Sequence, residues 1–477
     1  MTSEATAPTR PNIVFILTDQ QRFDTIRAMG FPYMDTPNID RLVVTGTSFA
    51  NMYVPAPSCA PSRASLFTGT YPHTNGVLRN NEPWNWTWVS LLNRAGYRCV
   101  NVGKMHTNPP EERFGFHERH VVENKDRASP TIPFYLDQWD KALWIRGRRK
   151  PSRVTYRERS DYRDCLGAFT WELEPDLHPD TFVGNLACLW LERYPGQEPF
   201  FLQIGFPGPH PPYDPTADVL EPYMRRDLPA PIRDGIDAQP RPLRQLRERH
   251  MADDHDAVVH LENPTAEQMH RQRAHYYANV TMIDTAVGKI VDALERRGVL
   301  ENTVIIFASD HGDCLNDHGH SQKWTMYEQS VHVPAIACGL GVRANRRIDD
   351  VVSLMDLGPT ILDLAGVAVP GWMEARSLAG YLRGEDVPKR DCVFSEHAND
   401  KLLQGTRLMT MIRKDRFKLV HFIDCPEGQL FDLAVDPQET VNLWDDPGHA
   451  STRAELVADI LRWRMTSDQI TRGFPSI

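Results

Sequence analysis

Two stretches of the sequence share a pattern that restricts the fold: an uninterrupted apolar run followed by acidic, amide or imidazole side chains. The first is NIVFILTDQQ, residues 12–21, and the second is NTVIIFASDHGD, residues 302–313. Short apolar runs without alternation are typical of strands buried on both faces, inside sheets covered by helices. The sequence therefore predicts an α/β fold in which polar groups follow the carboxyl ends of the sheet strands, where such folds place their chemistry.

The rest of the chain indicates one large unit followed by a smaller one. Residues 275–297 have apolar side chains at helical spacing and are followed by Gly298, so we predict a helix with a glycine cap. A strand and a helix are predicted over 351–366. These elements predict a large central mixed β-sheet sandwiched by helices over residues 11–385, which we assign as the catalytic domain.

The pattern changes after about residue 385. Residues 407–422 alternate around Lys414-Asp415, which predicts an antiparallel hairpin, and 429–433 predicts a further strand. Apolar side chains at helical spacing predict a helix over 453–464. We therefore predict a small subdomain over residues 386–477, made of an antiparallel sheet and a terminal helix.

Composition restricts the partners and the location of the protein. The chain has 477 residues and a net charge of −10, which argues against nucleic acid or an anionic membrane as the main partner. The N-terminal MTSEATAPTR has no apolar core, and no apolar run is long enough to span a bilayer. Eight scattered cysteines without a CxxC pair are mostly expected to be buried. These observations favour a cytoplasmic protein without a membrane partner.

Two polar regions, 107–165 and 213–265, show little periodicity. Long loops in an enzyme usually shape the site or form an oligomer contact. We expect these regions to do one or the other, and a homo-oligomer remains possible.

Acidic groups at two strand ends indicate a metal site. Asp19 follows the first apolar run, and Asp310 and His311 follow the second. Taken singly, they are better explained otherwise: Asp19 as a cap of the following turn, and Asp310-His311 as a polar strand end. Together, oxygen ligands with one imidazole suit a divalent cation such as Ca²⁺, Mn²⁺ or Mg²⁺.

A structural zinc loop is a weaker alternative. Cys314, His318 and His320 lie close together in HGDCLNDHGH, residues 311–320. The sequence has no second ligand pair with zinc-finger spacing, so we disfavour this interpretation.

Basic side chains add a possible anion pocket. Lys104 and His106 alternate in GKMH after an apolar run, and Arg63 and Lys323 are further candidates. Four basic groups around a cation would bind an anion inside an acidic protein. His210, in the proline-rich loop after FFLQIGF, is either a general acid or base or a loop histidine bonded to backbone.

The segment PSCAPSRASLFTG, residues 57–69, places a cysteine at a helix start. Pro61 suits the first turn of a helix that RASLF continues. Cys59 would then lie at a helix N-terminus, where backbone amides and the helix dipole favour anions.

Cys59-Ala60-Pro61-Ser62-Arg63, with TGTYP downstream, resembles the signature of the sulfatase family, in the alkaline-phosphatase-like superfamily. DQQ, GKMH, SDHGD, the later Lys323, DLGPTILDLAG and DPQETVNL fall in the family's order. The resemblance extends over residues 11–445 or so and implies the same fold that the strand pattern predicts.

The resemblance also implies that Cys59 is modified. In that family a formylglycine-generating enzyme oxidises the motif cysteine to formylglycine (3-oxoalanine), and the aldehyde hydrates to a gem-diol. One hydroxyl attacks sulfur and displaces the alcohol, and the other loses its proton so that the hemiacetal collapses and releases sulfate. A serine would leave a stable ester, which explains the need for an aldehyde.

Roles for individual residues follow from the same resemblance. Metal ligands are Asp19, modified Cys59, Asp310 and His311, with Gln20 as a ligand or neighbour. Arg63 orients the modified side chain, Lys104 and Lys323 contact sulfate oxygens, and Asn80 adds a polar contact to substrate. His106 is the base for hemiacetal collapse, and His210 is the acid for the leaving alcohol and contacts substrate.

The chain departs from many sulfatases at the metal site. Asp19-Gln20 and Asp310-His311 replace consecutive acidic residues and an Asp-Asn pair, as in the choline sulfatase and phosphonate monoester hydrolase branches. One imidazole and fewer carboxylates make Mn²⁺ an alternative to Ca²⁺. Lys104 and His106, which the phosphonate hydrolases lack, favour sulfate esters.

We therefore predict a promiscuous sulfatase that hydrolyses a small aryl or alkyl sulfate monoester. The alternative is a phosphonate monoester hydrolase or phosphodiesterase of the same superfamily. A non-catalytic relative is disfavoured because nucleophile and ligands are retained. The alcohol is not predicted: Trp84, Trp86 and Trp88 either form an aromatic wall for it or pack in the protein interior.

Overall fold

A computed structural model describes residues 10–123 and 135–473 of the chain. Its centre is an eight-stranded mixed sheet with the order β4-β3-β5-β1-β6-β7-β2-β8. The strands are β1 (Asn12–Asp19), β2 (Gly46–Tyr53), β3 (Arg98–Gly103), β4 (Glu118–Val121), β5 (Phe200–Pro209), β6 (Thr303–Ser309), β7 (His332–Gly339) and β8 (Arg346–Ser353).

Five adjacent strands of this sheet, β4, β3, β5, β1 and β6, are parallel. Their carboxyl ends therefore lie at one edge, so side chains that follow them converge. β7 runs antiparallel to both β6 and β2, which makes the sheet mixed as predicted.

Helices cover both faces of the sheet. They are α1 (Pro37–Thr45), α2 (Cys59–Thr68), α3 (Pro72–Asn75), α4 (Val89–Arg94), α5 (Gln138–Ile145), α6 (Arg153–Arg157), α7 (Tyr162–Cys165), α8 (Pro179–Arg193), α9 (Ala217–Met224), α10 (Arg241–Ala252), α11 (Ala266–Arg296), α12 (Glu328–Val331), α13 (Leu357–Leu364), α14 (Ala379–Arg383) and α15 (Ala450–Ile470). Alternate residues of β1 enter separate cores: Phe15 lies in the core with Phe67 of α2, and Ile16 lies in the core with Ile283 of α11.

A second sheet of four antiparallel strands follows, in the order β12-β11-β10-β9. Its strands are β9 (Cys392–Ala398), β10 (Leu408–Lys414), β11 (Phe417–Phe422) and β12 (Gln429–Asp432). The predicted hairpin is confirmed, with Lys414 paired to Phe417. The terminal helix α15 is present and is longer than predicted.

Two expectations needed correction. The helix predicted over 275–297 begins earlier, because Thr265 and Gln268 form a capping box at the start of α11. The regions 107–165 and 213–265 are not simply loops: they contain β4, α5–α7, α9 and α10. α10 was missed because charged residues dominate it, although Leu243, Leu246 and His250 form a buried stripe.

Parts of the predicted segments lie outside the described residues. These are residues 1–9, 124–134 and 474–477, which include most of MTSEATAPTR, part of the 107–165 region and the end of the small subdomain. Of the helices that the structure describes, none is both long and apolar enough to cross a membrane.

Candidate active site

Cys59 is the first residue of α2, as the sequence predicts. Every residue of this helix is buried, and Ser58 before it is extended without a side-chain cap. Asn80 supplies the missing acceptor: its Oδ1 accepts a hydrogen bond from Ala60 N–H at 3.1 Å. Asn80 therefore lies at the helix start beside Cys59, and its predicted contact with substrate remains a prediction.

A buried cluster of potential metal ligands surrounds the cysteine. Asp19, Cys59, Asp310 and His311 each offer a ligand atom within 4.8 Å of the others, and among the described residues they are the one such group of three or more. Asp19 ends β1, and Asp310 and His311 follow β6, its parallel neighbour. The four predicted ligands from two strand ends and one helix start thus meet.

The chemistry of this cluster fits a divalent cation. His311 Nδ1 lies 2.9 Å from the Gly312 carbonyl oxygen, which places the proton on Nδ1 and leaves the Nε2 lone pair facing the cluster. Nε2 lies 3.8 Å from Asp19 Oδ1 and 3.7 Å from Asp310 Oδ1. Two carboxylates and one imidazole are ligands suited to Mn²⁺ or Ca²⁺.

The side-chain amide of Gln20 is held with its oxygen, Oε1, toward this cluster. Its Nε2 donates to Asp313 Oδ2 at 2.7 Å, and the same carboxylate oxygen accepts from Tyr213 OH at 2.7 Å. Lys323 Nζ donates to Gln20 Oε1 at 2.9 Å. The backbone of Gln20 has φ 70°, in the left-handed region, and its N–H donates to Asp310 Oδ1 at 3.0 Å.

Three buried cations balance the carboxylates. Arg63 Nε donates to Asp310 Oδ2 at 2.6 Å, and its guanidinium lies 3.5 Å from Asp19. Lys104 forms a short ion pair with Asp19. Lys323 Nζ lies 3.1 Å from Cys59 Sγ. Arginine and lysines thus line the cysteine side of the cluster, the arrangement expected for an anion pocket.

The charges shift the pKa values of the site. Burial opposes ionisation of Asp19, but Lys104, His210, Arg63 and Lys323 together hold the pKa of its carboxyl well below its usual range. Burial and the nearby Asp19 carboxylate raise the pKa of the Cys59 thiol to about 11.

The two predicted catalytic histidines are both buried, and the charge of His210 acts on Asp19 of the cluster. His106 has φ 62°, and its backbone N–H donates to a carboxylate oxygen of Glu123 at 2.9 Å. His210 Nδ1 lies 2.8 Å from the Pro211 carbonyl oxygen, and its Nε2 lies 3.5 Å from Asp256 Oδ2. Burial and the positive charge of Lys323 lower the pKa of His210 well below its usual range, against the attraction of Asp256 and Asp19.

The structure thus joins eight of the predicted residues by direct contacts: Asp19, Gln20, Cys59, Arg63, Lys104, Asp310, His311 and Lys323. The sequence did not identify Asp256, Asp313 and Tyr213. Each lies in a region without periodicity or in a run of several polar residues. Their place in the site depends on contacts between parts of the chain that are distant in sequence.

The zinc loop and the aromatic wall are not formed by the described residues. Cys314 Sγ contacts the hydroxyls of Thr325 and Ser330, and His318 stacks on Tyr327 with ring centroids 3.8 Å apart. Trp84 and Trp88 are buried in the core, and Trp86 packs against Trp372. Packing therefore accounts for all three tryptophans.

A mixed sheet between helices, with a buried metal-ligand cluster and cations beside a helix N-terminus, defines a hydrolase of the alkaline-phosphatase-like superfamily. A sulfatase family model matches residues 11–367, and a model described as N-sulphoglucosamine sulphohydrolase, C-terminal, matches residues 316–466. The chain therefore belongs to the sulfatase family. The proteins similar to it include sulfuric ester hydrolases.

Similar proteins span nearly the whole chain. An arylsulfatase of Clostridium perfringens is 32% identical over 450 residues, 91% of this chain and 90% of that protein. A choline-sulfatase of Rhizobium meliloti is 29% identical over 466 residues, 94% of this chain and 85% of that protein. The crystal structure of a phosphonate monoester hydrolase of Agrobacterium radiobacter has a TM-score of 0.78 and 26% identity, with 96% of each chain covered.

Proposed function

We propose that this protein hydrolyses a small organic sulfate monoester to an alcohol and sulfate, with a nucleophile made from Cys59. One observation carries the proposal: Cys59 Sγ lies 3.1 Å from both His311 Nε2 and Lys323 Nζ, and 3.6 Å from Asp19 Oδ1. A group at this position is in reach of a metal bound by the cluster and of a lysine that binds an anion.

The nucleophile is a formylglycine hydrate, made at the cysteine of the sulfatase signature, rather than the thiol. A formylglycine-generating enzyme would convert Cys59 before the protein is active. One hydroxyl of the hydrate gives its proton to solvent and attacks sulfur, the bond from sulfur to the alcohol oxygen breaks, and the alcohol leaves with a proton from His210. The second hydroxyl then loses its proton, the carbon–oxygen bond to sulfate breaks, and the aldehyde is restored.

The other residues bind charge or move protons. Lys104 and Lys323 bind sulfate oxygens, and Arg63 holds Asp310 and the modified side chain in place. His210 gives the proton to the leaving alcohol, and His106 takes the proton when the hemiacetal collapses. A divalent metal held by Asp19, Gln20, Asp310 and His311 would lower the pKa of the attacking hydroxyl and offset charge on sulfate. The imidazole favours Mn²⁺ over Ca²⁺.

Mass spectrometry of the peptide that contains Cys59 tests the proposal directly. We expect an aldehyde in place of the thiol, and we expect Cys59→Ala to reduce kcat/KM for an aryl sulfate by at least about 10³-fold. Cys338→Ala is the matched control, because Cys338 is a buried cysteine in β7 away from the cluster. Full activity in protein that retains an unmodified thiol would refute the proposal.

A phosphonate monoesterase is the second candidate, because a solved relative is a phosphonate monoester hydrolase. Both substrates are tetrahedral anions, so we expect some activity on each. The comparison is kcat/KM for phenyl sulfate and for a phenyl phosphonate monoester under the same metal conditions. A preference for the sulfate supports the proposal, and a large preference for the phosphonate assigns the second function.

A further inference from the structure

The two polar regions of the sequence meet at one buried acidic residue. Asp256, from the second region, is 7% exposed. It has φ 56° and ψ 22°, and Ala257 after it has φ 60°. Two consecutive residues other than glycine in the left-handed region are strained and persist only where surrounding contacts hold them.

Those contacts come from the first polar region and from the loop that carries Lys323. Arg157 NH2 donates to the Asp254 carbonyl oxygen at 2.9 Å, and Tyr162 OH donates to Asp254 Oδ2 at 2.5 Å. Gln322 Nε2 donates to the His255 carbonyl oxygen at 3.0 Å. The turn is therefore fixed relative to Lys323.

The carboxylate of Asp256 is surrounded by positive or protonatable groups. Arg153 lies 2.7 Å from Oδ1, while His255 Nε2 and His210 Nε2 lie 3.4 Å and 3.5 Å from Oδ2. Arg153 forms a complete ion pair with one oxygen. The second carboxylate oxygen of Asp256, Oδ2, faces His210 and His255. Of these two histidines, only His210 is fully buried.

Both ring nitrogens of His210 therefore face oxygen acceptors. Nδ1 faces the Pro211 carbonyl oxygen, and Nε2 faces Asp256. A neutral imidazole has one N–H and satisfies one of these acceptors, whereas an imidazolium satisfies both. These two acceptors thus favour the protonated ring, the form that a general acid needs, and they oppose the burial and the Lys323 charge that lower the pKa of His210.

We propose that Asp256 is a positioning residue that orients His210 and opposes the positive charges that disfavour its protonation, so that the ring can act as the acid for the leaving-group oxygen of the ester. This inference rests on the proposed hydrolytic function and deepens it. Asp256 does not touch substrate: it acts through His210, and Arg153 keeps the Asp256 carboxylate ionised. At 3.5 Å, Asp256 holds the Nε2 proton of His210 only weakly, so this proton can pass to the alcohol oxygen as the oxygen's bond to sulfur breaks, and solvent restores it afterwards.

Other charges also act on His210. Lys323 and Lys104 oppose its protonation, and Asp19 favours it. The small cavity beside the ring is lined by further titratable groups: Glu123, His178, Asp180 and Asp214. A bound sulfate ester brings a negative charge to Lys323 and Lys104, so substrate weakens the opposition and leaves Asp256 as the fixed counter-ion.

The test compares leaving groups and pH in Asp256→Asn. A general acid matters most for a poor leaving group, so we expect kcat/KM to fall about 10- to 100-fold for phenyl sulfate and less than about 3-fold for 4-nitrophenyl sulfate. The alkaline limb of the pH–rate profile for phenyl sulfate should move to lower pH, because His210 then loses its proton more easily. Asp256→Glu should restore part of the rate.

Two controls separate this role from a structural one. Asp254→Asn changes a carboxylate of the same turn that contacts Tyr162 and Arg157, and it should leave the leaving-group dependence unchanged. In a His210→Gln background, Asp256→Asn should cause little further loss. Equal losses for both leaving groups, an unmoved alkaline limb, or fully additive losses would each overturn the inference.

The same pairs of leaving groups should be measured as phosphonate monoesters. If the wild type is active on phosphonates and inactive on sulfates, the proposed sulfatase function fails while the Asp256 comparison still applies. If the wild type cleaves sulfates and Asp256→Asn behaves like Asp254→Asn, the Asp256 inference alone fails.

Discussion

At the scale of single residues, Asp313 decides which atom of Gln20 faces the metal ligands. An amide side chain presents either oxygen or nitrogen, and only the oxygen binds a metal. The Asp313 carboxylate accepts from Gln20 Nε2 and from Tyr213 OH, so the Gln20 oxygen is directed into the site. Such outer partners commonly set metal affinity.

We expect Asp313→Ala to lower the affinity for Mn²⁺ about 10- to 100-fold, because Gln20 then loses the acceptor that fixes it. Tyr213→Phe keeps that acceptor and should have a smaller effect. Equilibrium dialysis measures both without reference to activity. An unchanged affinity in Asp313→Ala would show that Gln20 is not oriented by this carboxylate.

Residues of the site differ in how well the sequence predicts them. Asp19, Asp310 and His311 follow apolar strands directly, so the strand pattern alone places them at one sheet edge. Cys59 and Lys323 depended on the family resemblance, because a lone cysteine or lysine has several ordinary explanations. Asp313 meets Gln20 across 293 positions of sequence, and no local pattern encodes that pairing.

At the scale of elements, a buried lysine links β11 of the small sheet to α12, the helix that precedes β7 of the large sheet. Lys418 donates to Glu328 Oε1 of α12 at 2.8 Å and also pairs with Glu439. Met409, Val420 and Phe431 of the small sheet share a core with Phe15 of β1. We therefore propose that residues 386–477 form a subdomain that depends on the catalytic unit for its core.

Glu439 makes this junction sensitive to pH. Burial and the Glu328 carboxylate raise the pKa of Glu439 to about 7, despite the attraction of Lys418. A carboxyl whose pKa is raised by folding contributes stability that is complete below its unfolded pKa and is lost as pH rises through the folded value. From pH 5 to pH 8, Glu439→Gln should therefore gain roughly 2–3 kcal/mol in free energy of unfolding relative to wild type.

Urea unfolding at both pH values measures that difference. Asp436→Asn is a control, because Asp436 is an acidic residue of the same region that bonds to Thr440 and Val441 near the surface. If the free energies of unfolding of wild type and Glu439→Gln differ by the same amount at pH 5 and pH 8, Glu439 is not the source of the pH sensitivity.

Helices and strands were predicted correctly where the pattern of apolar residues is strong. β1, β6, the β10–β11 hairpin and the core of α11 follow from apolar patterns that burial requires. α10 escaped because its buried stripe is narrow and its other positions are charged. Helix-stabilising contacts with the rest of the fold, rather than local propensity, account for it.

At the scale of the whole molecule, an acidic protein concentrates buried positive charge at one sheet edge. The net charge is −10, while Arg63, Lys104 and Lys323 are almost fully buried around Asp19 and Asp310. Buried charges are tolerated only where partners compensate them. We therefore propose that the carboxylates serve two purposes, as counter-ions of these cations and as ligands for a metal, and that the pocket binds an anion because both are present.

A metal at this site would connect distant parts of the chain, because its ligands lie at the ends of β1 and β6 and at the start of α2. An ion that binds only the folded state stabilises it by about 2.7 kcal/mol at a free concentration of 100 Kd. We therefore expect Mn²⁺ to raise the melting temperature of metal-depleted wild-type protein.

His311→Ala should lose most of this rise in melting temperature, since His311 contributes a ligand atom and no permanent charge. His449→Ala is the control, because His449 is a partly exposed histidine paired with Asp446 at the start of α15. Calorimetric scans of the three proteins with and without Mn²⁺ decide the point: an equal rise in His311→Ala and wild type would place the stabilising ion elsewhere.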